Sequence, residues 1–265
     1  MPDQSSLAAD FRALGVAPGD IVMLHASFRA VRPVDGGPDA VIDALMDAAG
    51  PGGGVVMFPS WLHSPYEAFL NGGPTPEERA AWPAFDPAAA PPVHPERGGA
   101  VGAALAARPD AVRSRSPDRS LVGIGAAAPL MRDQPYIHGF GPGSPLQRLY
   151  EAGAKTLNLG APLYTATILH YAEYLADVPG KITVRYEVPI LANGEKRWRP
   201  VEQMNRDNFV PGAAGMDPDY LEQAIRAFMA NGGHSEGRVG AARALLYPMM
   251  DLVPFAVNWF EKRFG

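Results

Sequence analysis

Apolar positions recur along this chain in two rhythms. Leu7, Phe11 and Leu14 fall at helical spacing, and Gly15 can close that helix. "DIVMLHAS" (20–27) is a short continuous apolar run that reads as a buried strand ending at His25. "PDAVIDALMDAAG" (38–50) returns to the helical period and stops at Gly50, and "GGVVMFPSW" (53–61) reads as a second buried strand halted by Pro59. Strand, helix, strand in that order predicts a parallel βαβ unit. Farther on, "AVGAALAA" (100–107) predicts a helix and "SLVGIG" (120–125) a strand. "SPLQRLYEAG" (144–153) predicts a helix with Ser144 as cap and Pro145 at its first position, and "TLNLG" (156–160) another strand. "KITVRYEVPILANGEKRWRPV" (181–201) alternates as a β-hairpin turning at Asn193-Gly194. Helices near 217–230 and 250–263 follow.

Residues 62–97 break both rhythms. They are rich in Pro, Ala and Gly, and such long connections in a compact domain are commonly functional. His63, Tyr66, Trp82 and Phe85 within it, with Trp61 at its edge, predict a binding flap or cleft wall; a plain covering loop is the alternative. The expected architecture is a single α/β domain over residues 1–265. It has a central, largely parallel sheet flanked by helices, an added hairpin at 181–201 and C-terminal helices.

The composition narrows the function. Apolar residues make up 47% of 265 positions, enough for a sizeable core. A formal charge of −5 argues against nucleic acid as a partner. The absence of cysteine excludes disulfides, thiol nucleophiles and cysteine-based zinc sites. No apolar run nears the ~20 residues that span a bilayer, and the N-terminus lacks the pattern of a signal peptide. A cytoplasmic protein without a membrane partner is expected.

"TATILHYAEY" (165–174) places His170 and Glu173 three apart, on one helical face. A carboxylate beside an imidazole fixes its tautomer and suits it to general base work; a structural pair is the other reading. The pattern is not HExxH, so no zinc-protease site follows, and no metal is expected. His25 ends a strand, Trp61 ends the next, and His170 follows a third. In an open sheet with parallel strands those ends share one edge, where ligands bind. "RSRSPDRS" (113–120) offers Arg113, Arg115 and Arg119, whose guanidinium groups suit phosphates. "GIGAAA" (123–128) lacks the acidic residue that a dinucleotide site needs, and neither a GxSxG elbow nor a Walker loop is present.

Several segments together resemble the aminoglycoside 3-N-acetyltransferases. In the family's order they are "LHASFRAV" (24–31), "VVMFPSW" (55–61), "GPGSPLQRL" (141–149), "TLNLGAPLYTATILHYAE" (156–173), "VRYEVPIL" (184–191) and "GRVGAARALL" (237–246). The most specific is the pattern through Thr167, His170 and Glu173. The resemblance implies an enzyme moving acetyl from acetyl-CoA to the 3-amine of a deoxystreptamine ring by direct transfer. It makes His170 the general base, Glu173 its orienting partner and His25 a neighbour of the thioester. It assigns the coenzyme to Ala26, Ser27, Phe28, Arg29 and Val31, with Arg113, Ser114 and Ser120. It assigns the small-molecule amine to Trp61, Glu67 and Glu202, with Glu187 and Glu236 as further acidic candidates. Ser116 stands where the family commonly carries His. The alternatives are a same-fold acyltransferase for another amine, and a catalytically silent module that binds coenzyme A or a cation.

Overall fold

The computed structural model describes residues 1–59, 64–86, 93, 99–205, 208–217 and 219–265. The strands are β1 (Ile21–Ala26), β2 (Gly54–Met57), β3 (Val112–Arg113), β4 (Val122–Gly125), β5 (Lys155–Leu159), β6 (Thr183–Ala192), β7 (Glu195–Met204), β8 (Ser235–Val239) and β9 (Ala242–Pro248). The helices are α1 (Gln4–Leu14), α2 (Phe28–Val31), α3 (Gly37–Ala49), α4 (Tyr66–Leu70), α5 (Pro76–Ala81), α6 (Ala100–Ala107), α7 (Pro145–Glu151), α8 (Ile168–Leu175), α9 (Tyr220–Ala230) and α10 (Met249–Phe264).

Seven strands form one sheet in the order β3-β4-β2-β1-β5-β9-β8. The expected parallel pairing holds at its centre, where β1 runs parallel to both β2 and β5. Antiparallel strands widen it on each side: β4 and β3 beyond β2, β9 and β8 beyond β5. The carboxyl ends of β1, β2 and β5 thus lie along one edge. From β1 the chain passes to β2 on one side and later to β5 on the other, which opens a crevice at that edge.

Two cores cover the sheet's faces. Leu7 and Phe11 of α1, Val41 and Leu45 of α3 and Leu105 of α6 pack with Val22, Leu24 and Val55. Tyr171 of α8, Ile225 of α9 and Leu252 of α10 pack with Met23 and Tyr247 on the opposite face. Because successive strand residues face opposite ways, His25 shares the second face with Met23.

The expected hairpin is β6–β7, a separate two-stranded sheet running on to Met204. Asn193 and Gly194 both have positive φ, 51° and 79°, as a two-residue hairpin turn requires. Two expectations change in detail. The strand expected over 53–61 ends at Met57, and Trp61 and His63 lie outside the described residues. The described part of 62–97 carries α4 and α5, which lay Tyr66 against Tyr186 and Trp82 against Trp198 of the hairpin. Phe85 adds backbone bonds to Pro189 and Leu191. Among the described residues no helix is long and apolar enough to cross a membrane.

Candidate active site

α8 begins just past the loop that leaves the carboxyl end of β5, so its first turns stand over the crevice. His170 and Glu173 share one face of it. His170 Nδ1 lies 2.9 Å from Glu173 Oε2, with the imidazole side chain 16% exposed and Glu173 only 1%. The other oxygen, Glu173 Oε1, accepts the Tyr220 hydroxyl at 2.5 Å. The Phe140 ring stacks on the imidazole, centroids 5.7 Å apart and planes 9° from parallel.

His25 stands on β1 opposite Asn158 of β5. Its ring is 8% exposed, and Nε2 is buried with no hydrogen-bond partner. Burial, and secondarily the proximity of His170, push its pKa down to about 4. His25 is therefore a neutral imidazole near neutral pH.

The chain after His25 turns at once. Ser27 N donates to Leu159 O, and the Ser27 carbonyl accepts from Ala30 and Val31, which makes the single turn α2. Ala26, Ser27 and Phe28 are partly exposed and Arg29 is exposed. Val31 is fully buried in the core, so only its backbone faces that turn's surroundings. Gly160, with φ +62°, closes β5 against this turn. A Cβ there would stand 2.4 Å from Ala30 Cβ. Only glycine fits both the backbone and the gap.

The 113–120 segment is folded in on itself. Ser114 is 1% exposed, donates to Gln134 Oε1 at 2.6 Å and accepts from Leu121 N at 2.8 Å. Its hydroxyl is therefore spent inside the fold, not offered to a ligand. Ser120 accepts from Arg113 Nε at 2.7 Å, and the Arg113 guanidinium lies 4.3 Å from the Phe85 ring centroid. Burial works against that guanidinium's charge, and Asp118 supports it. Ser116 donates to Asp118 at 3.0 Å and accepts from Arg119 N.

Arg119 is the largest departure from expectation. It is 3% exposed and lies over both Tyr66 (4.9 Å) and Phe140 (5.2 Å). Nε and Nη2 make no hydrogen bond, and the nearest carboxylate contact is Asp118, 3.7 Å from Nε. Burial opposes the charge, but Tyr186, Asp118, Tyr66 and Tyr174 outweigh it and raise the pKa above the ordinary arginine value. Asp118 in turn accepts the Tyr186 hydroxyl. The Arg119 guanidinium and His170 thus sit against one phenylalanine.

The acidic candidates do not converge. Glu202 on β7 pairs with Arg185 and lies 3.6 Å from His138 Nε2. Glu187 pairs with Arg79 at 2.8 Å. Glu67 is exposed on α4. Glu236 is on β8, the sheet's edge strand two beyond β5, and holds Arg243 through both oxygens. Among the described residues no group of three or more His, Asp or Glu side chains could hold a metal ion.

Sequence reasoning placed His25, Trp61 and His170 at one edge; the structure brings His25 near His170 there, with Glu173 beside His170, and Trp61 lies outside the described residues. It missed Tyr220 and Phe140, and it named Arg119 only as a group suited to phosphates, not as a buried side chain beside Phe140. The Asp219 cap before "YLEQAIRAF" marks where α9 starts, but nothing local ties Tyr220 to a carboxylate 47 positions earlier.

The family model described as aminoglycoside 3-N-acetyltransferase matches residues 23–261. An aminoglycoside N(3)-acetyltransferase III from Salmonella sp is 40% identical over 270 residues, covering 100% of this chain and 93% of the relative. The solved structure of AAC-IIIb, a binary complex with CoASH, superimposes with a TM-score of 0.92 at 41% identity, covering 99% of this chain and 97% of the other. AAC-VIa bound to sisomicin gives 0.93 at 36% identity, with both chains fully covered.

Proposed function

The chain belongs to the aminoglycoside 3-N-acetyltransferase family, and we propose that it transfers acetyl from acetyl-CoA to the 3-amine of an aminoglycoside directly, with His170 as general base. One observation carries the reading: His170 Nδ1 is tied to buried Glu173. That tie leaves Nε2 as the nitrogen able to accept a proton. The amine lone pair forms the new C–N bond, the C–S bond breaks, and coenzyme A leaves as the thiolate. His170 Nε2 takes the amine proton, which then passes to the thiolate or to solvent. No acyl-enzyme is needed.

Acetyl-CoA supplies an acyl carbon already activated as a thioester. Partly exposed Ala26, Ser27 and Phe28 and exposed Arg29, at the end of β1 and in the turn after it, are suited to hold it, with Val31 contributing only backbone. Arg113 and Ser120, linked to each other in the 113–120 segment, are the further coenzyme candidates. His25 fits a neighbour of the thioester, because burial keeps its imidazole uncharged and weakly basic, so it does not repel the incoming amine. Positioning of this kind supplies much of such an acceleration, and a base adds about 10²–10⁴-fold. Acetyl-CoA is an intracellular thioester, which makes the cytoplasm the expected compartment.

Thiol release from acetyl-CoA with a panel of deoxystreptamine aminoglycosides, with product masses, tests the reading. A gain of one acetyl group that vanishes in His170→Ala supports it; turnover untouched by that substitution defeats the assignment of the base. A second reading keeps the chemistry and changes the amine. It is favoured by Glu202 and Glu187 being already paired with arginines, since a polycationic acceptor calls for unpaired acids. Acetylation confined to other amines in a broad screen would select it.

A further inference from the structure

Arg119 is a cation shut away from water, packed against the elements that carry the amine candidates. Its side chain is 3% exposed, and Nε and Nη2 have no hydrogen-bond partner among the described residues. The guanidinium lies over Tyr66, next to Glu67 on α4, and over Phe140, whose ring stacks on His170. It is therefore no farther from the imidazole than those two distances to the Phe140 ring combined, within the span of two linked sugar rings. Asp118 stands 3.7 Å from Nε, but its oxygens already accept the Ser116 and Tyr186 hydroxyls. Asp118 also does not cancel the arginine towards α8. Burial drives the Tyr174 phenol there up to about 12; the Met204 amide and then Arg119 pull it back, and Arg119 acts on it more strongly than Glu173 or Asp118. On the hairpin, Glu187 and Glu202 are each paired with an arginine, and uncharged Gln203 is bonded to Gly139 N and Tyr136 O.

A guanidinium only donates, so its unmet N–H groups favour an oxygen, and in a dry site its charge repels an ammonium. We propose that Arg119 is a specificity-determining residue: between two acceptors with the same reacting 3-amine, it selects the one whose neighbouring ring carries a hydroxyl in place of an ammonium group. The proposal rests on the acceptor being an aminoglycoside. Arg119 takes no part in the proton transfer; it discriminates by charge between acceptors that the base would treat alike.

Two pairs of compounds isolate the one group. Kanamycin A and kanamycin B differ as hydroxyl against amine at the 2′ position, and paromomycin and neomycin differ in the same way at 6′, on the ring attached beside the 3-amine. In at least one pair kcat/KM should favour the hydroxyl member by about tenfold or more. Arg119→Met should bring that ratio to within about threefold of unity, and Arg119→Lys, which keeps the charge, should retain the preference. A loss of packing alone lowers both members of a pair together and leaves the ratio where it was. Because Arg119→Met leaves Asp118 without its cation, Asp118→Asn/Arg119→Met removes both charges and serves if the single variant does not fold. Ratios near unity in both pairs for the unaltered protein overturn the proposal, and so does a preference that survives the loss of the cation. A raised KM for acetyl-CoA with an unchanged ratio overturns it too, by assigning the guanidinium to the coenzyme. If none of the four compounds is acetylated, the aminoglycoside reading itself fails, and the ratio is read from calorimetric Kd values of the same pairs. Equal affinity within each pair, or no binding, then overturns the proposal as well.

Discussion

The Phe140 ring meets both His170 and Arg119, with the His170 imidazole parallel to it at 5.7 Å and the Arg119 guanidinium at 5.2 Å from its centroid. A flat ring fixes the imidazole plane while Glu173 fixes its rotation within that plane. Phe140→Leu should therefore lower stability by about 1–3 kcal/mol, the common range for a core change. It should also lower kcat more than it raises KM. Urea unfolding and steady-state kinetics on the same preparation check both.

Glu173→Gln should be more damaging than its size suggests. The amide oxygen can keep the Tyr220 bond only if the amide NH₂ faces His170 Nδ1. That donor makes Nδ1 an acceptor and moves the ring proton to Nε2, the nitrogen that must accept. The loss expected is about 10²-fold or more in kcat, most of what removing a base costs. A two-dimensional ¹⁵N spectrum of His170 would show the tautomer change directly.

His25 makes stability depend on acid. Its folded pKa, about 4, lies below the ordinary 6.5. The unfolded chain therefore binds the extra proton first, and stability is lost as pH falls from about 6.5 towards 4. The ceiling is about 3 kcal/mol at 1.4 kcal/mol per unit. Unfolding curves at stepped pH should show His25→Gln with a shallower fall across that window. An equal fall in both proteins would mean that His25 is not the group being charged.

Gly160→Ala should damage stability and activity together. The added methyl meets Ala30 at 2.4 Å in a backbone conformation that disfavours alanine. Relief requires the turn after β1 to move, and with it Ala26 to Arg29. About 2 kcal/mol or more of destabilisation is expected. KM for acetyl-CoA should rise more than KM for the amine.

Much of this was readable in the residues, for identifiable reasons. Continuous apolar runs such as "VMLH" and "VVM" mark strands buried on both faces, and the LHxxE spacing puts His170 and Glu173 on one helical turn. Strand direction is another matter. The run at 120–125 is equally apolar either way, and it is the short path back from β3 that turns β4 antiparallel to β2. The β8–β9 pair was read only as part of a family pattern, because "GRVGAARALL" is too rich in Gly and Ala to alternate clearly. Arg119 was visible as one of three arginines suited to phosphates, but not as a buried side chain. Its burial depends on Tyr66 and Phe140, which no local spacing brings to it.

The β6–β7 hairpin has a consequence for how the molecule moves. It shares no strand with the main sheet, and among the described residues its buried cluster is Tyr66, Tyr186, Val188 and Val201, with Phe69, Tyr136, Val184 and Ile190 partly buried around it. The His170–Glu173–Tyr220 line is instead built on α8 and α9, within the large core beneath α10. Units with few buried contacts open at lower free energy than the rest of a protein. In hydrogen exchange the amides of β6 and β7 should lose protection well before those of β1 and β5. The hairpin can thus breathe while the His170–Glu173–Tyr220 line stays assembled.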